Sequence, residues 1–215
     1  MKIKWLGHAA FILTAEDGTK IITDPYIVGG GIGYGEIKES ADIVTISHGH
    51  GDHNNAASIK GNPQVLNTPG SQKIRNVEIR GYASYHDSNK GKQRGNNVIF
   101  GFKIDGITLC HLGDLGHSLD DKTVSDIGQV DILFIPVGGF FTIDATTATG
   151  VINAIKPRVI IPMHFLTPKV TYPIVGVEDF LKGKSGVKKS ESSEIEIKNN
   201  SLPVKPEIIV LKHAL

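Results

Sequence analysis

The stretch SHGHGDH, at residues 47–53, carries the densest set of metal-binding side chains in the sequence. Its three imidazoles and one carboxylate belong to His48, His50, Asp52 and His53. Residues two apart project to the same side of an extended backbone, so the first two imidazoles can grip one ion. The two intervening glycines give the backbone the freedom to turn the later pair inward. We interpret the stretch as a metal-binding loop.

Three more candidate donors each follow a predicted strand, and these donors are His86, Asp114 and His164. The metal-binding loop itself follows a strand predicted at residues 41–47. In sheet proteins, functional groups gather where strands end in loops, at one edge of the sheet. If the four strands share a direction at that edge, we expect all seven donors to meet there.

The seven donors suffice for two ions that each keep an open position. We assign one ion to His48, His50 and His86. We assign the other to Asp52, His53 and His164, and Asp114 bridges the two ions with its two oxygens. Imidazole and carboxylate donors favour zinc, with manganese or iron as alternatives, and Cys110 lies inside a predicted strand and offers no thiolate. Two ions roughly 3.5–4 Å apart activate a shared water and polarise a carbonyl or phosphoryl oxygen, which is chemistry for hydrolysis.

Catalytic and substrate-binding roles are predicted for further side chains near these donors. Asp52 or Asp114 could help to take the proton from the water. His117 could protonate the leaving group or contact the substrate, and packing within its loop is the alternative. His8 and Arg94 are substrate-binding candidates, the arginine through an anionic group. Their alternatives are a polar group satisfied at a strand end and a solvated loop.

Other polar and glycine-rich features have structural as well as functional interpretations. Asp24 could orient a metal-binding imidazole, or simply form a turn with Pro25. The loop GGGIGYG at residues 29–35 lacks the features of a phosphate-binding loop and could be a lid with Tyr34 as an apolar contact. Asp144 is predicted to cap a helix.

The elements that must position these groups are mainly strands in the first half, followed by strands alternating with helices. Strands are predicted at residues 3–6, 10–14, 19–23, 41–47, 77–85, 97–104, 107–112, 131–137, 158–162 and 207–211. Helices are predicted at 56–60, with residues 54–55 as the cap, and at 144–155 and 177–182. Residues 182–200 are expected to form an exposed loop. The simplest architecture is one α/β domain over residues 1–215, with helices covering packed sheets.

Composition narrows the partners of this chain of 215 residues. Its formal net charge of +1 and 7% aromatic content give no reason to expect nucleic acid as a partner. No apolar run reaches the length of a membrane span. The single cysteine excludes an internal disulfide and favours the cytoplasm. A small-molecule substrate, which could be anionic, is expected, and a homo-oligomer remains open.

The HxHxDH motif, with the later histidine, the aspartate in LGDLGH and the histidine in IPMHF, resembles the metallo-β-lactamase superfamily. The resemblance covers roughly residues 1–166. It implies a four-layer αβ/βα sandwich with the metals at one edge of two sheets. The stretches LGHAAF, TDP, PVGG and TIDA are similar to a branch of small stand-alone hydrolases that includes ascorbate-6-phosphate lactonase. The sequence DSNKGKQRGNN after His86 departs from the shorter turn of that branch.

The donors and the resemblance together predict a metal-dependent hydrolase of a small ester, lactone or phosphoester. Two alternatives stay open at this point. The same metal site could serve a nuclease or RNA-processing phosphodiesterase, or the protein could bind metal without catalysis.

Overall fold

The computed structural model describes all residues from Met1 to Leu215 and contains two mixed β-sheets. The first sheet consists of β1 (Lys2–Gly7), β2 (Ala10–Thr14), β3 (Lys20–Thr23), β4 (Ile43–Thr45), β5 (Gln64–Leu66) and β13 (Glu194–Glu196), in the order β13-β1-β2-β3-β4-β5. The α/β class expected from the sequence is confirmed.

The second sheet has eight strands in the order β12-β14-β11-β10-β9-β8-β7-β6. Its strands are β6 (Gly70–Ile74), β7 (Val77–Tyr85), β8 (Asn96–Ile104), β9 (Ile107–His111), β10 (Ile132–Pro136), β11 (Val159–Met163), β12 (Val187–Lys189) and β14 (Glu207–Val210).

The strands that precede the predicted donors point toward the same edge within each sheet. In the first sheet, β1 and β3 are each antiparallel to β2, and β4 is parallel to β3, so β1, β3 and β4 share a direction. In the second sheet, β7 and β9 are each antiparallel to β8, and β9, β10 and β11 run parallel.

A core of 44 buried residues joins the inner faces of the two sheets. Alternation along β2 shows how the sequence divides its two faces: Phe11 and Leu13 enter this core, while Ala10 and Ile12 enter a second cluster. That second cluster of 14 residues is completed by loop side chains such as Tyr26 and Tyr34. Loops, rather than helices, therefore cover the outer face of the first sheet.

Three short helices complete the fold, α1 (Asp121–Ile127), α2 (Ala145–Ile155) and α3 (Val177–Leu181). Asp144 caps α2, as predicted, because its carboxylate accepts the Thr147 N–H at 2.7 Å. Helix α2 contributes Ala148, Val151 and Ile155 to the larger core. No helix combines the length and the hydropathy that crossing a bilayer requires.

Several predictions of local structure were wrong. The helix predicted at residues 56–60 is only a 3₁₀ turn, Ala56–Ser58, because Asn55 makes no side-chain cap and the turn buries none of its residues. A second 3₁₀ turn, Asn199–Ser201, follows β13. Residues 182–200 contain two edge strands rather than only a loop, and β5, β6 and α1 were not predicted at all.

Candidate metal centre

The candidate donors follow strand ends that meet at one edge of the sandwich. In the first sheet, the residue after β1 is His8, the residue after β3 is Asp24, and the metal-binding loop follows β4. In the second sheet, His86 comes directly after β7, Asp114 three residues after β9, and His164 directly after β11. Backbone bonds tie the sheets together there: Val98 N–H donates to Ser47 O at 2.8 Å, and His164 N–H donates to His8 O at 3.2 Å.

One group of donors is formed by three imidazoles, those of His48, His50 and His86. The ring of His48 lies 4.6 Å from each of the other two, measured between centroids, and the remaining pair is 5.1 Å apart. Potential ligand atoms of all three rings lie within 4.8 Å of one another. The three side chains can therefore reach a single ion.

The second group contains Asp52, His53 and His164, and the structure adds His8 to it. His53 Nε2 lies 3.6 Å from Asp52 Oδ2, and the rings of His8 and His164 are 4.0 Å apart. His8 Nε2–H donates to Asp52 Oδ2 at 3.1 Å. His8 is completely buried. It therefore lies behind Asp52, where it can orient that carboxylate but not contact a substrate.

Asp114 lies between the two groups, with its two oxygens facing both. Its Oδ2 is 3.2 Å from His86 Nε2 on one side and 3.3 Å from His164 Nε2 on the other. Its Oδ1 is 3.2 Å from His53 Nε2. The backbone N–H of Asp114 donates to Asn97 Oδ1 at 3.0 Å, which fixes the turn that presents the carboxylate.

The buried carboxylate of Asp24 fixes the ring tautomers of two of the histidines. It accepts hydrogen bonds from Ser47 N–H at 2.7 Å, from Ser47 Oγ–H at 2.6 Å and from His53 Nδ1–H at 2.9 Å. Since Ser47 Oγ donates to Asp24, it must accept from His48 Nδ1–H, at 3.0 Å. Both imidazoles consequently present an unprotonated Nε2 to the cluster when they are neutral.

Burial and neighbouring charges set the protonation of the candidate ligands. Burial, followed by the nearby His53, lowers the pKa of His48 to about 3, so this ring is neutral at pH 7. Burial opposes ionisation of Asp114, but His164 and His53 hold its pKa well below the usual range. His53 is also desolvated, yet Asp114 and Asp52 raise its pKa well above its ordinary value.

Seven buried atoms of the cluster residues have no hydrogen-bond partner in the protein. Four of them belong to Asp114 or lie within 3.8 Å of its carboxylate: His48 Nε2, His53 Nε2, His164 Nε2 and Asp114 Oδ1. A buried polar atom without a partner costs about 1–3 kcal/mol, so four of them in one cluster require a common explanation. Imidazole nitrogens and carboxylate oxygens are ligands of zinc, iron and manganese. The residues present therefore fit divalent cations.

A family model described as a beta-lactamase superfamily domain matches residues 2–164 of the chain. The chain belongs to the beta-lactamase superfamily. Its relatives include UPF0173 metal-dependent hydrolases from Pelotomaculum thermopropionicum and Carboxydothermus hydrogenoformans. The first is 30% identical over 92% of this chain and 96% of its own length, and the second is 32% identical over 83% and 88%.

A crystal structure from Thermotoga maritima shares the superfamily fold over nearly the whole chain. It is described as a Zn-dependent hydrolase of the metallo-β-lactamase superfamily, and it matches with a TM-score of 0.83 and 35% identity over 98% of this chain and 97% of that one. With the donor cluster, these matches make the protein a metal-dependent hydrolase of this superfamily. The similarity to ascorbate-6-phosphate lactonase stays a prediction.

The donor cluster opens into a cavity of about 350 Å³, the size of a small-molecule site. Its walls are formed by His50, Asp52, His86, Arg94, Asp114, Phe141 and Tyr172. Tyr172 and Asp52 also border a neighbouring cleft of about 320 Å³ that contains the exposed side chains of Ile27 and Val28. Burial, together with the nearby Asp52 and Asp114, raises the pKa of Tyr172 to about 12, so its phenol keeps its proton.

The sequence analysis expected His117 near the metals and Tyr34 as a lid contact, but neither side chain lines this cavity. Both ring nitrogens of His117 are engaged by backbone: Nδ1–H donates to Ser118 O at 2.7 Å, and Nε2 accepts Tyr85 N–H at 3.2 Å. Tyr34 is 1% exposed and its hydroxyl bonds to the Thr167 hydroxyl, so it is a core residue and not a lid contact.

Sequence reasoning missed four residues that shape the site. Phe141 and Tyr172 line the cavity, Asn97 holds the turn of Asp114, and Asp87 organises the loop after His86. Phe141 and Tyr172 lie in stretches without a metal-binding pattern. Asp87 was detectable, because an aspartate that opens a Gly/Asn-rich loop commonly accepts backbone N–H bonds.

Proposed function

We propose that this protein hydrolyses an ester, lactone or phosphoester bond in a small molecule, using two divalent cations. The observation that carries the proposal is the position of the Asp114 carboxylate between two groups of donors. The first cation would be held by His48, His50 and His86. The second would be held by Asp52, His53 and His164, with Asp114 shared between the two. We expect zinc from the donor chemistry, with manganese or iron as alternatives.

The cations supply a lowered pKa for an attacking water and positive charge for the oxyanion that develops during the reaction. The protein's own groups orient the reactants. Asp52 Oδ2 is held by His8, and Oδ1 has no hydrogen bond within the protein, so Oδ1 is the atom that we expect to accept the proton of the water. The phenol of Tyr172, on the cavity wall, is our candidate proton donor to the leaving group.

This assignment replaces His117 as the proton donor because both of its nitrogens are engaged by backbone groups. The cavity of about 350 Å³ has the size of a small-molecule site, which supports a small molecule rather than a polynucleotide as the substrate. The neighbouring cleft beside Ile27 and Val28 offers room for an apolar part of the substrate or for the leaving group.

The test is turnover of a panel of lactones, carboxylic esters and phosphodiesters by zinc-loaded protein, by chelated protein and by three variants. His50→Ala removes an exposed donor and should lose metal and activity together with little loss of stability. Tyr172→Phe should keep its metal and lose turnover. His117→Ala should keep both.

Full turnover by the chelated protein, or turnover of RNA alone, would overturn the proposal. Loss of turnover in His117→Ala with both metals in place would return the role of proton donor to that histidine.

A further inference from the structure

We propose that Arg94 forms an anion-binding subsite beside the donor cluster, so that the substrate carries a carboxylate or phosphate group near the cleaved bond. This inference rests on the proposed function, because it concerns the substrate of the same site. It narrows the substrate from small esters in general to those with an oxyanion.

The first observation is an arginine that lines the cavity without an acidic partner. Arg94 is half-buried and shares the cavity wall with His50 and His86. Its guanidinium carbon lies 5.3 Å from the centroid of the Phe141 ring, and no carboxylate of the protein pairs with it. The guanidinium makes no hydrogen bond to another side chain, and its N–H groups match the two oxygens of a carboxylate or phosphate.

The second observation is that the loop carrying this arginine is held in place by the carboxylate of Asp87, which is 3% exposed. Oδ1 accepts the backbone N–H groups of Asn89 at 2.7 Å and Gly91 at 3.0 Å. Oδ2 accepts those of Gln93 at 3.0 Å and Arg94 at 2.8 Å. Burial opposes ionisation of Asp87, but these four bonds lower its pKa. The last bond anchors the backbone of the arginine itself.

The ends of the same loop are joined, which fixes it relative to the metal donors. Gly95 N–H donates to Gly91 O at 2.9 Å, and His86 N–H donates to Gly95 O at 3.0 Å. Gly91 has φ +75° and a Cβ there would lie 2.9 Å from Gly95 O, so the closed loop requires glycine. The loop therefore connects the candidate ligand His86 directly to Arg94.

The remaining cations of the loop do not share this placement. Lys90 and Lys92 are exposed and do not line the cavity. Within the cavity wall, Arg94 is the one basic side chain that has no candidate role as a metal ligand. A substrate oxyanion bound there would be held a short distance from His50 and His86, which orients the rest of the molecule toward the donor cluster.

A matched pair of substrates tests the subsite. The probes are γ-butyrolactone with a carboxylate on the ring and the same lactone with a carboxamide, which has nearly the same shape and no charge. The zinc-loaded protein should prefer the carboxylate. Arg94→Gln should lower kcat/KM for the carboxylate about 10- to 100-fold and change that for the carboxamide less than about 3-fold. Arg94→Lys should recover part of the preference.

The control variant is Lys92→Gln, which removes the same charge from the same loop. It should leave the carboxylate preference of the wild-type protein intact. The subsite would be overturned if Lys92→Gln lowered kcat/KM for the carboxylate lactone as much as Arg94→Gln does. It would also be overturned if Arg94→Gln lowered kcat/KM equally for both lactones. A third probe is the lactone bearing a phosphate monoester. The preferred oxyanion is the one on the charged lactone whose kcat/KM falls further in Arg94→Gln.

Asp87 acts as a positioning residue, and Asp87→Asn tests that role. The amide cannot accept all four N–H groups, so the carboxylate preference should fall while zinc content stays unchanged. Loss of zinc instead would show that Asp87 supports His86 and not Arg94.

Binding of cyclopentanecarboxylate and cyclopentanecarboxamide, which have no lactone bond to hydrolyse, is measured by calorimetry and separates this inference from the proposed function. If no lactone is hydrolysed but Arg94→Gln still weakens the binding of the carboxylate alone, the subsite stands and the reaction is wrong. If the carboxylate and the carboxamide bind equally to wild-type protein, the subsite is wrong.

Discussion

Replacing Asp24 by Asn should weaken metal binding although Asp24 is not itself a proposed ligand. Its Oδ2 accepts both Ser47 Oγ–H and His53 Nδ1–H. An amide nitrogen in that place faces two donors and accepts from neither. Turning the amide over would place the nitrogen against Ser47 N–H instead. In either orientation at least one buried donor loses its acceptor.

The size of the expected loss in metal affinity follows from the role of His53 as a proposed ligand. Without the carboxylate, the ring no longer keeps its proton on Nδ1, and the Nε2 lone pair that faces Asp114 is lost for part of the population. Loss of such a supporting group typically costs 10- to 100-fold in metal affinity, or about 1.4–2.7 kcal/mol. Competition with a chromophoric zinc chelator measures this change directly.

A matched control lies just before β10, at the end of the strands that faces away from the donor cluster. Asp131 is also a buried carboxylate that accepts an N–H and a hydroxyl from one residue, Thr108, at 2.9 and 2.7 Å. Asp131→Asn should lower the free energy of unfolding to a similar degree and leave zinc affinity within about 3-fold. Equal zinc affinity of Asp24→Asn and wild-type protein would refute the argument that Asp24 fixes the tautomers.

Three further predictions concern pH, packing and capping. Because the nearby Asp114 and Asp52 raise the pKa of His53, binding a cation there must displace its proton, so zinc affinity should rise as the pH is raised from 6 to 8 in chelator competition; a flat profile would contradict this. Gly116→Ala should lower zinc content because its Cβ would lie 2.3 Å from the carbonyl carbon of His86, whereas Gly150→Ala, with open space in α2, should retain zinc and raise stability by up to about 1 kcal/mol. Asp144→Ala should lower the free energy of unfolding, measured in urea, by about 1 kcal/mol and leave metal binding unchanged. A simultaneous loss of zinc would show that α2 supports the site.

The sequence was informative wherever side chains with a clear chemical preference followed apolar strands. The strand predicted at residues 77–85 was observed with those bounds as β7, and His86 follows it, because alternating burial along that strand is visible in the pattern. β5 and β6 are short and largely exposed, so they carry no such alternation and were missed. The edge strands β12 and β13 have only three residues each and no buried residue, so they too were missed.

Residues that hydrogen-bond to the backbone of a loop were harder to predict. Asp87 bonds only to backbone groups of its own loop, and Asn97 bonds to the backbone of Asp114 and Leu112. Such partners are set by how the chain turns, and many sequences can turn in the same way. His117 shows the converse, because its position near Asp114 in sequence suggested a role that its two backbone contacts do not support.

The central claim is that seven side chains surround a pair of neighbouring cations. The most direct measurement is anomalous diffraction at the zinc absorption edge from crystals of zinc-loaded protein. We predict two peaks on either side of the Asp114 carboxylate, one contacted by His48, His50 and His86 and the other by Asp52, His53 and His164. A single peak, or peaks that Asp114 does not touch, would contradict the account.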